Sequence, residues 1–284
     1  MTPVIEVQDL SYTYPGRSVP AVDGMTFAIE RGEVFGFLGP SGAGKTTTQR
    51  IITGLLHGWT GSVAILGTGI ADWGRDLYDA IGVSFELPVG YPRLTVAEDL
   101  TTFSRLHRCA TVGVAEALEE VGLGHVAGEP VASLSKGMRI RLNLARSMLH
   151  DPDILFFDEP TSGLDPVNTK LVREIIDRRR ALGRTVFLTT HDMATASATC
   201  DRVAFVVDGT IAAQNTPRAL ELEHGRRFVR VEYRIDGELA EATLPLDDSG
   251  PELQRLVSSG VIETIHTAEA SLDEVFVDVT GRSL

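Results

Sequence analysis

The sequence predicts an α/β fold built on a mainly parallel sheet, followed by a small α+β domain. Short β-branched runs alternate with helical stretches through most of the chain, and this order favours parallel strands covered by helices. Two runs, at residues 34–38 and 153–158, are apolar almost throughout, which is typical of strands buried on both faces. Because a glycine-rich loop follows the first run and an acidic pair ends the second, the carboxyl edge of the sheet is the predicted site.

Local patterns predict the other elements of the first domain. Residues 4–7 and 25–29 alternate apolar and polar side chains, which indicates half-buried strands. Thr95 and Glu98 form a capping-box pattern that predicts a helix running to about residue 108. Periodic or apolar segments predict further helices at 44–54, 136–150 and 168–182, and strands at 185–189 and 202–207.

The pattern changes near residue 225. Strands are predicted at residues 228–233, 242–244 and 261–266, and a capping box at Ser271 and Glu274 opens a last helix. We therefore expect two domains, residues 1–222 and residues 226–284. The second carries no phosphate-binding motif, so we expect it to regulate or dimerise.

Composition narrows the classes of function. The 284 residues carry a formal charge of −13, which disfavours binding to nucleic acid because phosphate backbones are repelled. Cys109 and Cys200 form no CxxC pair, so no disulfide scaffold is expected. No run approaches the ~20 apolar residues of a membrane span, and no signal-peptide pattern is visible at the N-terminus. We expect a cytoplasmic protein that reaches a membrane only through a partner.

A phosphate-binding loop follows the first buried strand. Its residues fit the pattern G-x-x-x-x-G-K-[ST] and open a helix, as that motif requires. The glycines let backbone N–H groups surround phosphates, Lys45 supplies a charge for the β- and γ-phosphates, and the Thr46 hydroxyl suits Mg²⁺. The predicted ATP-binding residues here are Gly39, Pro40, Ser41, Gly42, Ala43, Gly44, Lys45, Thr46 and Thr47.

The second buried strand ends in Asp158 and Glu159. At that edge of the sheet, Asp158 is expected to hold Mg²⁺, and Glu159 to orient and deprotonate the attacking water. Alone, such a pair is as consistent with a surface turn. Together with the phosphate loop it predicts an ATPase.

Further motifs lie in a recognisable order. Residues 134–138 read Leu-Ser-Lys-Gly-Met before a long helix, residues 160–165 read Pro-Thr-Ser-Gly-Leu-Asp, and residues 190–192 read Thr-His-Asp. Over residues 4–220 the chain resembles the ABC ATPases, whose signature motif, D-loop and switch histidine these segments match. The resemblance implies a P-loop NTPase fold with an antiparallel β subdomain and a helical signature subdomain. It also implies that ATP and Mg²⁺ are bound, and that Tyr14 stacks on adenine.

The same resemblance implies a mechanism and partners. Two such domains close head to tail around two ATP molecules, as a homodimer or with a second ATPase subunit, beneath a separate transmembrane permease at the cytoplasmic face of the membrane. His191 would contact the γ-phosphate. The residues implied to bind ATP across the dimer are Ser135, Lys136, Gly137 and Met138.

Two departures from the family pattern leave alternatives open. Lys136 and Met138 replace the usual Gly and Gln of the signature, and Lys136 either approaches the opposing γ-phosphate or is solvated. Glu86 replaces the usual Gln of the loop that meets Mg²⁺ and the membrane subunit. It is expected to be a Mg²⁺ ligand, since carboxylates suit that ion, and the alternative is a solvated loop residue.

Three classes of function remain for comparison. The form of the signature and the ending Ala270 to Phe276 resemble ATPases of drug, polyketide, lipid or sodium exporters. A soluble ABC ATPase of translation or DNA repair usually has two such modules or a long coiled coil, and this chain has one phosphate loop and no sustained heptads. A small-molecule kinase would not need a signature motif.

Overall fold

The computed structural model describes residues 3–86, 90–109, 111–224, 228–235, 238–245, 250–259, 262–268 and 270–282. Two compact units divide the chain, the first reaching Gln214 and the second beginning at Asn215. The predicted domain limits, residues 1–222 and 226–284, stay a prediction.

The first unit contains two sheets and seven α-helices among its described residues. Its strands are β1 (Pro3–Tyr12), β2 (Val22–Glu30), β3 (Val34–Leu38), β4 (Thr60–Ile65), β5 (Thr68–Gly69), β6 (Ile81–Ser84), β7 (Ile154–Asp158), β8 (Thr185–Thr190), β9 (Arg202–Val207) and β10 (Thr210–Asn215). Its helices are α1 (Lys45–Ile52), α2 (Leu77–Ala80), α3 (Val96–Ser104), α4 (Val114–Glu120), α5 (Lys136–Met148), α6 (Pro166–Ala181) and α7 (Met193–Thr199).

The larger sheet has the strand order β10-β9-β3-β8-β7-β6, and the pairs from β9 to β6 are parallel. Every residue of β3, β7 and β8 is buried, as expected for central parallel strands with both faces covered. The smaller sheet has the order β2-β1-β4-β5 and is antiparallel. The predicted α/β fold with an antiparallel β subdomain is confirmed.

Aromatic side chains join these two sheets. Phe27 of β2 stacks on Phe35 of β3 with ring centroids 5.8 Å apart, and it also meets Phe37 and Phe187. Phe156 of β7 packs on Phe187 at 5.6 Å. Since each ring removes a large apolar area from water, this cluster holds the antiparallel sheet against the strands that end at the site.

Helices α3, α4 and α5 pack on one another and form the predicted helical subdomain. A buried ion pair joins two of them, because Arg146 Nε donates to Asp99 Oδ2 at 2.6 Å and both side chains are at most 4% exposed. Asp99 Oδ1 also accepts from the Tyr91 N–H at 3.2 Å. Removing one member of such a pair would leave a buried charge without its counter-charge, which costs about 3–5 kcal/mol.

Helix α3 is shorter than the sequence predicts. Its capping box at Thr95 and Glu98 is present, but the helix ends at Ser104 rather than near residue 108. The Thr101 hydroxyl donates to the carbonyl four residues back, and the Ser104 hydroxyl donates to the carbonyl three residues back. This local competition weakens the last turn.

The second unit contains an antiparallel sheet with helices. Its elements are α8 (Pro217–His224), β11 (Phe228–Ile235), β12 (Glu238–Pro245), α9 (Gly250–Ser258), β13 (Ile262–Ala268) and α10 (Leu272–Thr280), with strand order β12-β11-β13. Val229 and Val231 pack with Leu256 of α9 on one face, while Arg230 pairs with Glu241 at 2.9 Å on the other. The predicted capping box at Ser271 opens α10. Residue 261, which begins the last predicted strand, lies outside the described residues.

Two stacked histidines lie where α3 and α5 end. The rings of His107 and His150 are 3.8 Å apart and 13° from parallel, and His150 Nε2 donates to the Ile81 carbonyl at 2.9 Å. Burial, followed by repulsion from His107, lowers the pKa of His150 from 6.5 to about 4. Burial also lowers the pKa of His107, against the opposing attraction of Asp79. The folded chain therefore takes up protons less readily than the unfolded chain.

We predict an acid-dependent loss of stability from this pair. His150 contributes stability that is complete above pH 6.5 and is lost as the pH falls from 6.5 to about 4, at up to about 1.4 kcal/mol per pH unit. His150→Phe keeps an aromatic ring and removes the titrating group, so the free energy of unfolding should vary less with pH in that window. Urea unfolding at several pH values measures this, with the exposed His125→Phe as the matched control. Equal slopes in both variants would contradict the assignment.

Candidate functional site

The loop at residues 39–44 joins β3 to α1, and its backbone packs closely against Ala21. Gly44 has φ +107°, and a Cβ there would lie 2.3 Å from the Ala21 carbonyl oxygen, so only glycine fits. Lys45 Nζ donates to the Gly39 carbonyl at 2.5 Å and to the Pro40 carbonyl at 3.3 Å. The lysine ammonium therefore lies over the loop rather than in solvent.

Helix α1 begins at this loop. Gly44 is its N-cap, and no side chain caps it. The first N–H groups of a helix have no partners within the helix and carry a partial positive charge. They lie where the loop residues and Thr46 line an open cavity of about 460 Å³, an arrangement suited to phosphate.

Asp158 lies behind this cavity, at the end of β7, and is 3% exposed. Thr46 Oγ1 donates to its carboxylate, at 3.2 Å from each oxygen. Thr189 Oγ1 of β8 donates to Asp158 Oδ1 at 2.5 Å. A hydroxyl from the phosphate loop and a hydroxyl from the next strand thus hold one buried carboxylate.

Glu159 is the next residue, and its backbone turns sharply. Its φ of +48° lies in the left-handed region, which is uncommon for a residue with a Cβ and costs about 1–3 kcal/mol. Its side chain is directed to the cavity, with Oε1 3.4 Å from Lys45 Nζ and Oε2 2.8 Å from His191 Nδ1. The carboxylate lies between two groups that can bind phosphate oxygens.

The cavity brings together most of the residues that the sequence predicts. Asp158 and Gly39 contact lining residues without lining the cavity, and residues 135–138 do not line it. The lining also includes Ala21 and Ser162, which the sequence reasoning missed as site residues. It is formed by Tyr14, Ala21, Pro40, Ser41, Gly42, Ala43, Gly44, Lys45, Thr46, Thr47, Glu86, Glu159, Ser162 and His191.

Tyr14 forms one wall of the cavity. Its hydroxyl is 3.1 Å from the Thr47 hydroxyl, and its ring meets the edge of Tyr12 at a centroid distance of 4.9 Å and an interplanar angle of 85°. These contacts hold the ring in one orientation beside the start of α1.

The signature segment starts α5. Ser135 is the N-cap and accepts from the Met138 N–H at 3.2 Å. Gly137 is buried against Asn168, since a Cβ there would lie 2.8 Å from that side chain. Lys136 is exposed, and its ammonium lies beside Gly163, where an added Cβ would be 2.4 Å from Nζ. In its own chain Lys136 thus neighbours the loop that follows Glu159.

Glu86 is exposed and lies on the cavity wall, two residues after β6 ends. The segment that leads to it is bonded to α5, because Asn143 Nδ2 donates to Ser84 Oγ at 2.8 Å and to the Phe85 carbonyl at 3.0 Å. The helix that starts at the signature is therefore joined to the strand end that carries Glu86.

Comparison with known proteins decides the family. The ABC transporter family model matches residues 22–162. A fluoroquinolones export ATP-binding protein of Mycobacterium tuberculosis is 51% identical over 286 residues, which cover 100% of this chain and 95% of that protein. The chain belongs to the ABC transporter ATP-binding proteins. As an ABC ATPase it binds and hydrolyses ATP, as the motif order and the geometry of the cavity led us to expect.

Other relatives agree with this family. A Nod factor export ATP-binding protein I of Burkholderia pseudomallei is 33% identical over 300 residues, which cover 99% of this chain and 98% of that protein. The cbiO1 subunit of the cbiONQ ABC transporter complex of Clostridium perfringens has a TM-score of 0.70 and 27% identity, over 78% of this chain and 92% of its own. A dimeric ATP-binding cassette solved with ADP and phosphate has a TM-score of 0.68 and 26% identity, over 75% of this chain and 98% of its own.

These findings confirm the predicted function as an ATP-binding subunit of an ABC transporter. Subunits of this kind act with membrane subunits and dimerise. Among the described residues of this ABC ATPase, no helix is both long and apolar enough to pass through a bilayer.

Proposed function

We propose that this ABC ATPase powers the export of small organic molecules, with a fluoroquinolone-like compound as the first substrate class to test. The supporting observation is the full-length identity of 51% to a fluoroquinolones export ATP-binding protein. The energy source for export is ATP bound in the cavity at the carboxyl ends of β3, β7 and β8.

In this proposal the phosphate loop binds the ATP phosphates, and Glu159 acts as the general base of hydrolysis. The N–H groups at the start of α1 and the Lys45 ammonium receive the phosphates, because both offer positive charge at one wall. Tyr14 takes the adenine ring. Glu159 orients and deprotonates the attacking water as general base, and His191, which is 2.8 Å from its carboxylate, contacts the γ-phosphate.

The residues beside the cavity fit Mg²⁺. Mg²⁺ prefers carboxylate and hydroxyl oxygens, and the Thr46 hydroxyl lies 3.2 Å from the Asp158 carboxylate at the cavity's edge. We propose Thr46 and Asp158 as its ligands, with Glu86, which also lines the cavity, as a third. When bound, Mg²⁺ would neutralise charge on the β- and γ-phosphates.

The same proposal includes a second ATPase domain and a membrane subunit as partners. Two ATPase domains, in a homodimer or with a second ATPase subunit, close head to tail. Ser135, Lys136, Gly137 and Met138 then complete the partner's site from the start of α5, whose dipole favours anions. A separate transmembrane permease holds the pair at the cytoplasmic face of the membrane, and no nucleic acid takes part. Residues 226–284 serve regulation or dimerisation.

Export is tested in cells that produce the chain together with the membrane subunit that copurifies with it. Fluoroquinolone fluorescence measures accumulation, and the wild-type chain should lower it while Glu159→Gln, which lacks the general base, should not. Equal accumulation in both strains would refute this substrate class.

The role of Glu159 has its own test. Glu159→Gln should retain ATP binding and slow hydrolysis about 10²–10⁴-fold, because the general base is lost. It should also accumulate an ATP-bound dimer on a sizing column. Hydrolysis at the wild-type rate would exclude Glu159 as the base.

The role of Glu86 is tested by two substitutions. Glu86→Ala should weaken Mg²⁺-dependent hydrolysis and uncouple it from the membrane subunit. ATP affinity should stay mostly intact, since Lys45 and the start of α1 still offer positive charge to the phosphates. Glu86→Gln should stay active with an altered Mg²⁺ titration. If Glu86→Ala leaves both the Mg²⁺ titration and transport unaltered, Glu86 is a solvated loop residue.

A further inference from the structure

Thr189 touches both acidic residues of the site, and no motif in the sequence marks it. It is the fifth residue of β8 and is 0% exposed. The parallel register of β7 and β8 places it directly beside Asp158. The strand register therefore fixes the position of Thr189 relative to Asp158.

The hydroxyl of Thr189 uses its donor and its acceptor on two different residues. It donates to Asp158 Oδ1 at 2.5 Å and accepts from the Glu159 N–H at 3.2 Å. The same N–H is 3.0 Å from the Thr189 carbonyl oxygen. A hydroxyl has one proton to donate and lone pairs to accept, so this single group links the Asp158 carboxylate to the Glu159 backbone.

This link adds to the restraint that the Thr189 carbonyl places on the unusual backbone conformation of Glu159. A left-handed φ in a residue with a Cβ persists only where the surroundings impose it, and Glu159 has φ +48°. The N–H that bonds to Thr189 belongs to this residue, so the bond restrains the turn that directs its side chain to Lys45 and His191. The donor bond to Asp158 Oδ1 adds to the bonds that Thr46 makes to both oxygens of the same carboxylate.

We propose that Thr189 is a positioning residue for hydrolysis, which sets the Asp158 carboxylate and the Glu159 turn through one hydroxyl. It touches neither substrate nor metal in this assignment, and the proposal rests on the functions proposed above for Asp158 and Glu159. A Val side chain has the same shape and lacks the hydroxyl, so Thr189→Val isolates the effect.

Thr189→Val should lower kcat about 10- to 100-fold, because small misplacements of catalytic groups have effects of that size. The KM for ATP should change less than about threefold, since the phosphate loop is untouched. The affinity for Mn²⁺, measured by electron paramagnetic resonance with a non-hydrolysable ATP analogue, should fall about tenfold or more, as is usual when a partner of a metal ligand is removed. Thr189→Ser keeps the hydroxyl, so its kcat and its Mn²⁺ affinity should both lie within about threefold of wild type.

Thr199→Val is the matched control. Thr199 is 2% exposed, and its hydroxyl has no hydrogen-bond partner among the described residues, so its loss should leave kcat and Mn²⁺ affinity unchanged. Thr189→Ala serves as a second hydroxyl-free variant if the valine variant does not fold, as judged by urea unfolding.

Wild-type kcat and Mn²⁺ affinity in a folded Thr189→Val or Thr189→Ala protein would overturn the proposal. So would a Thr189→Ser variant as impaired as Thr189→Val. If Glu159→Gln is slow while Thr189→Val is normal, only the positioning role fails. If Glu159→Gln hydrolyses ATP normally, the proposed function of Glu159 fails first.

Discussion

The Asp158 carboxylate is almost fully removed from water, and the architecture of the site follows from the donors it needs. A buried carboxylate without hydrogen bonds is strongly disfavoured. Its donors come from Thr46 at the start of α1 and Thr189 on β8, and both can reach it only because β7 pairs in parallel with β8, next to β3. The strand order thus brings the phosphate loop, the acidic pair and His191 to one edge of the sheet.

Helix α5 connects that edge to more distant parts of the ATPase unit. It starts at Ser135 in the signature, bonds through Asn143 to the segment before Glu86, and carries Arg146 into the buried pair with Asp99. These contacts lie on one helix, which therefore joins the signature to the Glu86 segment and to α3. Under the proposed function, such a contiguous set of bonds is the place to look for coupling between nucleotide state and the membrane subunit.

Elements that have a local periodicity or motif could be predicted from the sequence. Contacts that depend on how the strands pair in three dimensions could not. The buried strands, the capping boxes at Thr95 and Ser271, and the phosphate loop were visible because each has a local signature. Thr189 was not, because its role comes from its place beside Asp158 across two strands. The predicted end of α3 was wrong for a similar reason. The hydroxyl-to-carbonyl bonds at Thr101 and Ser104 do not change the sequence pattern from which the helix was predicted. The functions of the individual site residues stay predictions.

Under its proposed role, the contacts of Glu159 make its availability as a base depend on the arrival of phosphate. Its two carboxylate oxygens lie against Lys45 and His191, which are also the side chains expected to meet the phosphates. A phosphate anion competes with the carboxylate for the Lys45 ammonium, because both are negative and the ammonium is a single charge. In the proposed function, the carboxylate that loses this partner keeps its contact with His191, while the Glu159 N–H stays bonded to Thr189, and one carboxylate oxygen is then open to accept a proton from water. We therefore expect the base to become available only when the substrate occupies the loop.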